Sequence, residues 1–148
     1  MYISRIRLQK FRNFKDLDVD LGPTAVIVGE NKVGKSNLLY ALRLVLDPSL
    51  PDSNRRLRAE DFWDGLTSPL AGHEICVTIE LSGFDASFDA SLEGKAVLAD
   101  CVVSQSPLVA RLTYVFRPKP GVVLTMKPIL QKRTMNSLYM AELTLETV

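Results

Sequence analysis

Alternating apolar and polar positions divide this chain into short elements separated by polar breaks. Residues 2–10 and 17–21 alternate, which predicts two antiparallel strands that each have one solvated face. An unbroken apolar run at 24–28 predicts a buried strand, and the apolar spacing of 36–46 predicts a helix. Strands are also predicted at 74–81 and 108–116, with a helix at 91–102. The order of these elements indicates an α/β fold.

A glycine-rich segment lies between the predicted buried strand and the helix that follows it. Residues 29–36 fit the pattern G-x-x-x-x-G-K-[ST], in which backbone N–H groups surround phosphate oxygens. In such a loop Lys35 reaches the β- and γ-phosphates, and the Ser36 hydroxyl binds Mg²⁺. The predicted ligands are therefore ATP and Mg²⁺. The candidate binding residues are Gly29, Glu30, Asn31, Lys32, Val33, Gly34, Lys35 and Ser36.

Composition narrows the class of protein only a little. The 148 residues carry a formal net charge of +1, so bulk charge does not indicate a nucleic-acid partner. Cys76 and Cys101 both lie in apolar contexts, which favours buried, reduced thiols. No apolar run approaches the roughly 18 residues that span a bilayer, and the first residues do not resemble a signal peptide. We expect a cytoplasmic protein without a membrane partner.

Residues 1–119 resemble the N-terminal half of the ATPase domain of OLD-family proteins (overcoming lysogenization defect), in the RecF/SMC-type branch of ABC ATPases. The match rests on Lys-Phe-Arg-Asn-Phe at 10–14, on the glycine-rich segment with Asn37 and Leu38, and on Arg-Ala-Glu-Asp-Phe at 58–62. The resemblance implies a P-loop NTPase fold with a mixed sheet, and places Arg12 and Asn13 near the phosphates. It also implies, for an intact family protein, a head-to-head homodimer around two ATP molecules and a role in DNA processing. A C-terminal Toprim nuclease domain often follows in this family.

Parts of a hydrolytic site of this kind have no clear counterpart in the chain. The family uses an apolar strand ending in Asp-Glu, and a Ser-Gly-Gly signature that contacts the partner's γ-phosphate. Residues 81–84 imitate the signature, but Phe84 replaces its second glycine. Residues 96–100 imitate the acidic strand, but Cys101 follows where the catalytic acid belongs. We therefore assign no catalytic residue, and expect weak nucleotide binding and poor hydrolysis.

The last 29 positions, 120–148, differ in character from the rest. No acidic residue lies between Asp100 and Glu142, although 15 of the 17 acids lie at or before Asp100. Codons for residues 124–147 can be chosen so that a shifted reading frame encodes a different segment. That segment has an acidic linker, an apolar strand and a Gly-Gly turn, as in the family. We expect a partial ATP-binding domain at 1–119 and an irregular tail left by a frameshift near Gly121 to Leu124. The alternative is a natural short protein with a basic tail.

Two other functional classes remain open from the sequence. A small P-loop kinase would use the same loop, although it would need an Asp base and Arg lid residues; Arg55, Arg56 and Arg58 are its weak candidates. These arginines could instead contact DNA phosphates or form a solvated basic loop. The other class is a non-catalytic nucleotide-binding or interaction module. His73 has no partner at metal-ligand spacing, which indicates a surface loop residue.

Overall fold

A tight hairpin begins the chain. The computed structural model describes residues 1–31, 33–67, 70–84, 100–118 and 139–145, the last range by its backbone alone. Strands β1 (Tyr2–Phe11) and β2 (Phe14–Asp20) pair antiparallel, so Arg12 and Asn13 are the two turn residues. Arg12 takes the left-handed conformation, with φ 49°, that so short a turn demands. The predicted antiparallel pair is confirmed.

Four further strands extend the sheet from β1: β3 (Ile75–Ser82), β4 (Val102–Gln105), β5 (Leu108–Pro118) and β6 (Tyr139–Leu145). The order is β2-β1-β3-β5-β4, and β6 also pairs with β5. The predictions of strands at 74–81 and 108–116 are confirmed within two residues. Every named pair of strands is antiparallel.

Helix α1 (Lys35–Leu46) covers one face of this sheet and confirms the predicted helix. Strand β3 shows why the face is apolar: Ile75, Val77 and Ile79 are fully buried, while the residues between them are half-buried on the other face. Loop residues complete the core around a short helix α2 (Asp52–Arg55) and a 3-10 turn (Ala59–Asp61). The buried members from this region are Leu50, Leu57, Ala59, Phe62 and Leu70.

The structure corrects one prediction about the sheet and does not confirm another. Residues 24–28 were predicted to be a buried strand, but they lie outside every strand, with Val26 80% and Val28 83% exposed. The predicted mixed sheet is likewise not observed, because the described strands pair only antiparallel. The physical reason is that an apolar run becomes a buried strand only when neighbouring strands accept its backbone groups. Both edges of β1 and β3, the strands at the centre of the sheet, are already occupied.

Several predictions fall on residues that lie outside the described ranges. These are Lys32, most of the helix predicted at 91–102, residue 119, and residues 120–138 and 146–148 of the tail. At the end of that predicted helix, residues 100–101 form a turn and Val102 begins β4. Within the tail, the backbone of 139–145 forms the strand β6 beside β5.

Candidate functional site

The glycine-rich segment at 29–36, the predicted phosphate loop, leads directly into α1. Gly34 is the residue before the helix, with φ 108° and ψ 9°, and its carbonyl accepts the first helical hydrogen bond from Leu38 N at 2.9 Å. Glycine is the residue that tolerates this positive φ. The first N–H groups of α1 have no partner within the helix and carry the positive end of its dipole. The start of α1 is therefore arranged to accept an anion.

The lysine of the segment folds back over the loop. Lys35 Nζ donates to the carbonyl oxygens of Gly29 at 2.5 Å and Glu30 at 2.7 Å. An ammonium group has three donors and no acceptor, so two of its three protons are directed to the loop backbone here. The helix start thus places one cation beside the loop carbonyls. Ser36, the predicted Mg²⁺ ligand, is exposed on the first turn of α1.

Asn13 lies in the β1–β2 turn, and its side chain contacts the backbone of the loop. Its Nδ2 donates to the carbonyl of Val33 at 3.1 Å. A Cβ added at Gly34 would lie 2.2 Å from that same nitrogen, so the second glycine of the motif is also required by close packing. At the first glycine, Gly29, a Cβ would lie 2.9 Å from a methyl group of Val33. The structure therefore brings Asn13 against the predicted loop.

Arg12 is held beside Asn13 by three neighbours. Its Nε and Nη2 lie 2.9 Å from Asp61 Oδ1, and its Nη1 donates to Asn37 Oδ1 at 2.8 Å. The guanidinium group also stacks over the Tyr40 ring, 4.6 Å from its centroid. Burial, followed by the nearby charge of Asp61, raises the pKa of Tyr40. Sequence reasoning did not select Asn37 or Asp61, although both lie within the family-like segments that were recognised.

The arginine-rich segment after α1 has a structural role at Arg55. Its guanidinium donates to the carbonyls of Leu44 and Leu50, each at 3.1 Å, and to that of Asp47. Arg55 therefore stabilises the C-terminal end of α1, where carbonyls lack helical partners and a cation is favoured. Its own carbonyl accepts a hydrogen bond from the Tyr114 hydroxyl. The contacts of Arg55 are thus structural ones, which join the end of α1 to the loop that follows it.

A second group of charged side chains lies on the polar face of the sheet. Arg5 and Arg7 both donate to Asp18 across β1 and β2, with the shortest contacts at 2.7 and 2.6 Å. Hydrogen bonds from these arginines lower the pKa of Asp18 well below its ordinary range. A shallow cavity of about 290 Å³ lies over this face, lined by arginines that already have carboxylate partners. The exposed pairs that Arg5 and Arg7 form with Asp18 contribute little to stability.

Other candidate sites gain no support from the described part of the chain. Residues 81–84 end strand β3, as predicted, with Gly83 at φ 70° directly after it. Among the described residues, no three potential metal ligands converge, and His73 makes a backbone hydrogen bond to Leu70. No helix in the described ranges has the length and apolar character needed to cross a membrane.

Comparison with known proteins identifies the family. A family model described as an AAA ATPase domain matches residues 1–124. The endonuclease GajA of Bacillus cereus is 35% identical over 60% of this chain, which corresponds to 15% of GajA. The DNA replication and repair protein RecF of Lactobacillus acidophilus is 40% identical over 49% of the chain and 20% of RecF. The OLD nuclease of Thermus scotoductus is 37% identical over 40% of the chain and 11% of the nuclease.

These matches confirm the resemblance to OLD- and RecF-type proteins that the sequence motifs predicted. The chain spans about one fifth or less of the length of each of these relatives. The part of the chain that the family model matches includes the glycine-rich segment and the β1–β2 hairpin, since this match begins at residue 1 and continues past β5.

Proposed function

Because this chain belongs to the AAA ATPase domain family, we propose that its loop at 29–36 binds ATP together with Mg²⁺. The observation that supports the proposal most directly is the placement of the loop at the start of α1. There Gly34 takes φ 108°, and Lys35 already lies against the loop backbone. In the bound state, Lys35 exchanges its two carbonyl partners for phosphate oxygens. Ser36 supplies its hydroxyl to the metal ion.

The wider role follows from the relatives and forms part of the same proposal. RecF is named for DNA replication and repair, and OLD and GajA are named as nucleases. We propose that ATP binding by this chain belongs to a DNA-processing ATPase of the ABC type. In that ATPase, two heads close around nucleotide in the cytoplasm. Hydrolysis then requires an acidic strand and a signature segment that the described residues do not supply.

Calorimetric titration of the purified chain with Mg-ATP tests the proposal, with Lys35→Ala as the primary variant. Removal of the ammonium group is expected to lower affinity at least about tenfold, since it removes charge-assisted contacts to phosphate. Lys15→Ala is the matched control, because Lys15 is an exposed lysine over the Trp63 ring and lies outside the loop. Equal affinity of Lys35→Ala and the parent chain would contradict the proposal.

A second titration without Mg²⁺ tests the role of Ser36. If Ser36 holds the metal, Ser36→Ala binds ATP as the parent chain does in the absence of Mg²⁺. It loses affinity only when Mg²⁺ is present. An equal loss under both conditions would show that the hydroxyl acts on the phosphates or on the loop, and would refute the metal assignment.

A further inference from the structure

A continuous series of side-chain hydrogen bonds runs from the 3-10 turn to the phosphate loop. Asp61 binds Arg12, Arg12 donates to Asn37, Asn37 donates to Asn13 at 2.8 Å, and Asn13 donates to the Val33 carbonyl at 3.1 Å. The first and last members come from segments that are distant in sequence. No member except Asn13 contacts the loop backbone in these bonds.

The direction of this series is fixed by chemistry. Arg12 is only a donor, so the Asn37 amide presents its oxygen to Arg12 and its NH₂ group to Asn13. Asn13 then accepts with its oxygen and donates with its own NH₂ group. The Val33 carbonyl that ends the series is only an acceptor. Because the Arg12 guanidinium only donates and the Val33 carbonyl only accepts, the side-chain amides of Asn37 and Asn13 can each take only one orientation. The position of Arg12 therefore determines the orientation of both amides.

Asp61 in turn sets the position of Arg12. One carboxylate oxygen of Asp61 contacts both Nε and Nη2 of the guanidinium group, and the Asp61 side chain is only 15% exposed. The backbones are joined as well, because Arg12 N donates to the Asp61 carbonyl at 2.8 Å. The other carboxylate oxygen accepts from Arg58 N at 2.8 Å. Partial burial and several partners make this pair stronger than an exposed ion pair.

We propose that Asp61 is a positioning residue for the phosphate loop. Acting through Arg12 and Asn37, it holds Asn13 against Val33 and Gly34 and so fixes the loop in its nucleotide-binding geometry. The effect on nucleotide affinity rests on the proposed function. The effect on the geometry of the free loop does not.

Nuclear magnetic resonance of the nucleotide-free chain therefore provides the first test. In Asp61→Ala, the Gly34 backbone amide signal is expected to shift in the same direction as it does in Asn13→Ala. The Asn13 side-chain amide signal of Asp61→Ala is expected to shift from its position in the parent chain. Asp18→Ala is the matched control, because it removes a carboxylate that binds two arginines on the other face of the sheet. A folded Asp61→Ala protein with an unshifted Gly34 signal would overturn the proposal.

Asn37→Leu keeps the Asp61–Arg12 pair and interrupts the series at its centre, so it answers the same question if Asp61→Ala fails to fold. It is expected to shift the Gly34 and Asn13 signals as well. An unchanged Gly34 signal in folded Asn37→Leu would overturn the proposal.

Titration with Mg-ATP gives the second readout. Asp61→Ala is expected to bind about tenfold more weakly than the parent chain. The double variant Asp61→Ala/Asn13→Ala is expected to bind no more weakly than Asn13→Ala alone, because both changes break the same series. Fully additive losses would show that Asp61 acts independently of Asn13 and would refute the inference. If the parent chain binds no Mg-ATP, the proposed function fails, while the resonance data still decide the role of Asp61.

Discussion

Replacement of Gly34 by alanine tests two constraints on the loop together. The residue has φ 108°, which L-amino acids rarely adopt, and a new Cβ would lie 2.2 Å from Nδ2 and 2.8 Å from Oδ1 of Asn13. Asn13 cannot move away freely, because it donates to Val33 and accepts from Asn37. The change therefore introduces backbone strain and also displaces a side chain that has two partners.

The two contributions can be estimated separately. A left-handed conformation costs an L-residue about 1–2 kcal/mol. Displacement of Asn13 breaks two hydrogen bonds that contribute about 0.5–1.5 kcal/mol each, and the lower values apply because Asn13 is exposed. The expected total loss of unfolding free energy is about 2–4 kcal/mol. Gly72 supplies the control, since it has φ 81° and a Cβ there meets no atom of the described residues within 4 Å.

Urea unfolding followed by the fluorescence of Trp63, the single tryptophan, measures both losses. Gly72→Ala is expected to lose about 1–2 kcal/mol, from backbone strain alone. Gly34→Ala is expected to lose about 1–2 kcal/mol more than that. In an Asn13→Ala background the excess is expected to disappear, because the clashing side chain is gone. Equal losses for Gly34→Ala and Gly72→Ala would refute the argument from close packing.

Four further substitutions test the fold. Phe62→Ala is expected to cost about 3–5 kcal/mol in urea unfolding because the ring is fully buried, whereas Leu39→Ala, 54% exposed on α1, is expected to change stability by about 0.5 kcal/mol or less. Val28→Asp is expected to be equally mild at 83% exposure, and a loss of several kcal/mol would show a buried strand instead. Tyr114→Phe is expected to cost about 1 kcal/mol through its bond to the Arg55 carbonyl. Burial raises the pKa of Tyr114, so folded stability falls as pH rises above about 10, and in Tyr114→Phe that fall is expected to be shallower.

Elements with their own periodic pattern were predictable from the sequence. The alternation in β3 and the apolar spacing of α1 each identify one buried face, and both elements lie within two residues of their predicted bounds. The segment 24–28 shows the limit of this reasoning. Its composition indicates burial, but burial of a strand depends on partners that its own residues do not specify.

The sequence identified the loop of the candidate site as a candidate, but it did not identify the residues that hold the loop in place. The pattern at 29–36 predicts which backbone groups would meet phosphate, because each glycine in it allows a close approach or an unusual backbone conformation. Asp61 carries no such local signal. Its role depends on its contact with Arg12, 49 residues earlier, and only the packing of the 3-10 turn against the end of β1 brings the two together.

If the loop binds phosphate as proposed, Lys35 would give up its resting contacts at little cost. Its ammonium group donates to two neutral carbonyl oxygens of Gly29 and Glu30. Those bonds are already charge-assisted by the ammonium group, but phosphate oxygens also carry negative charge and so add an attraction between opposite charges. The exchange therefore favours the anion, while the released carbonyls lie on an exposed loop where water can bind them. Because the Asn13 contact involves a different carbonyl, that of Val33, the loop can release Lys35 to a phosphate and remain anchored to the hairpin.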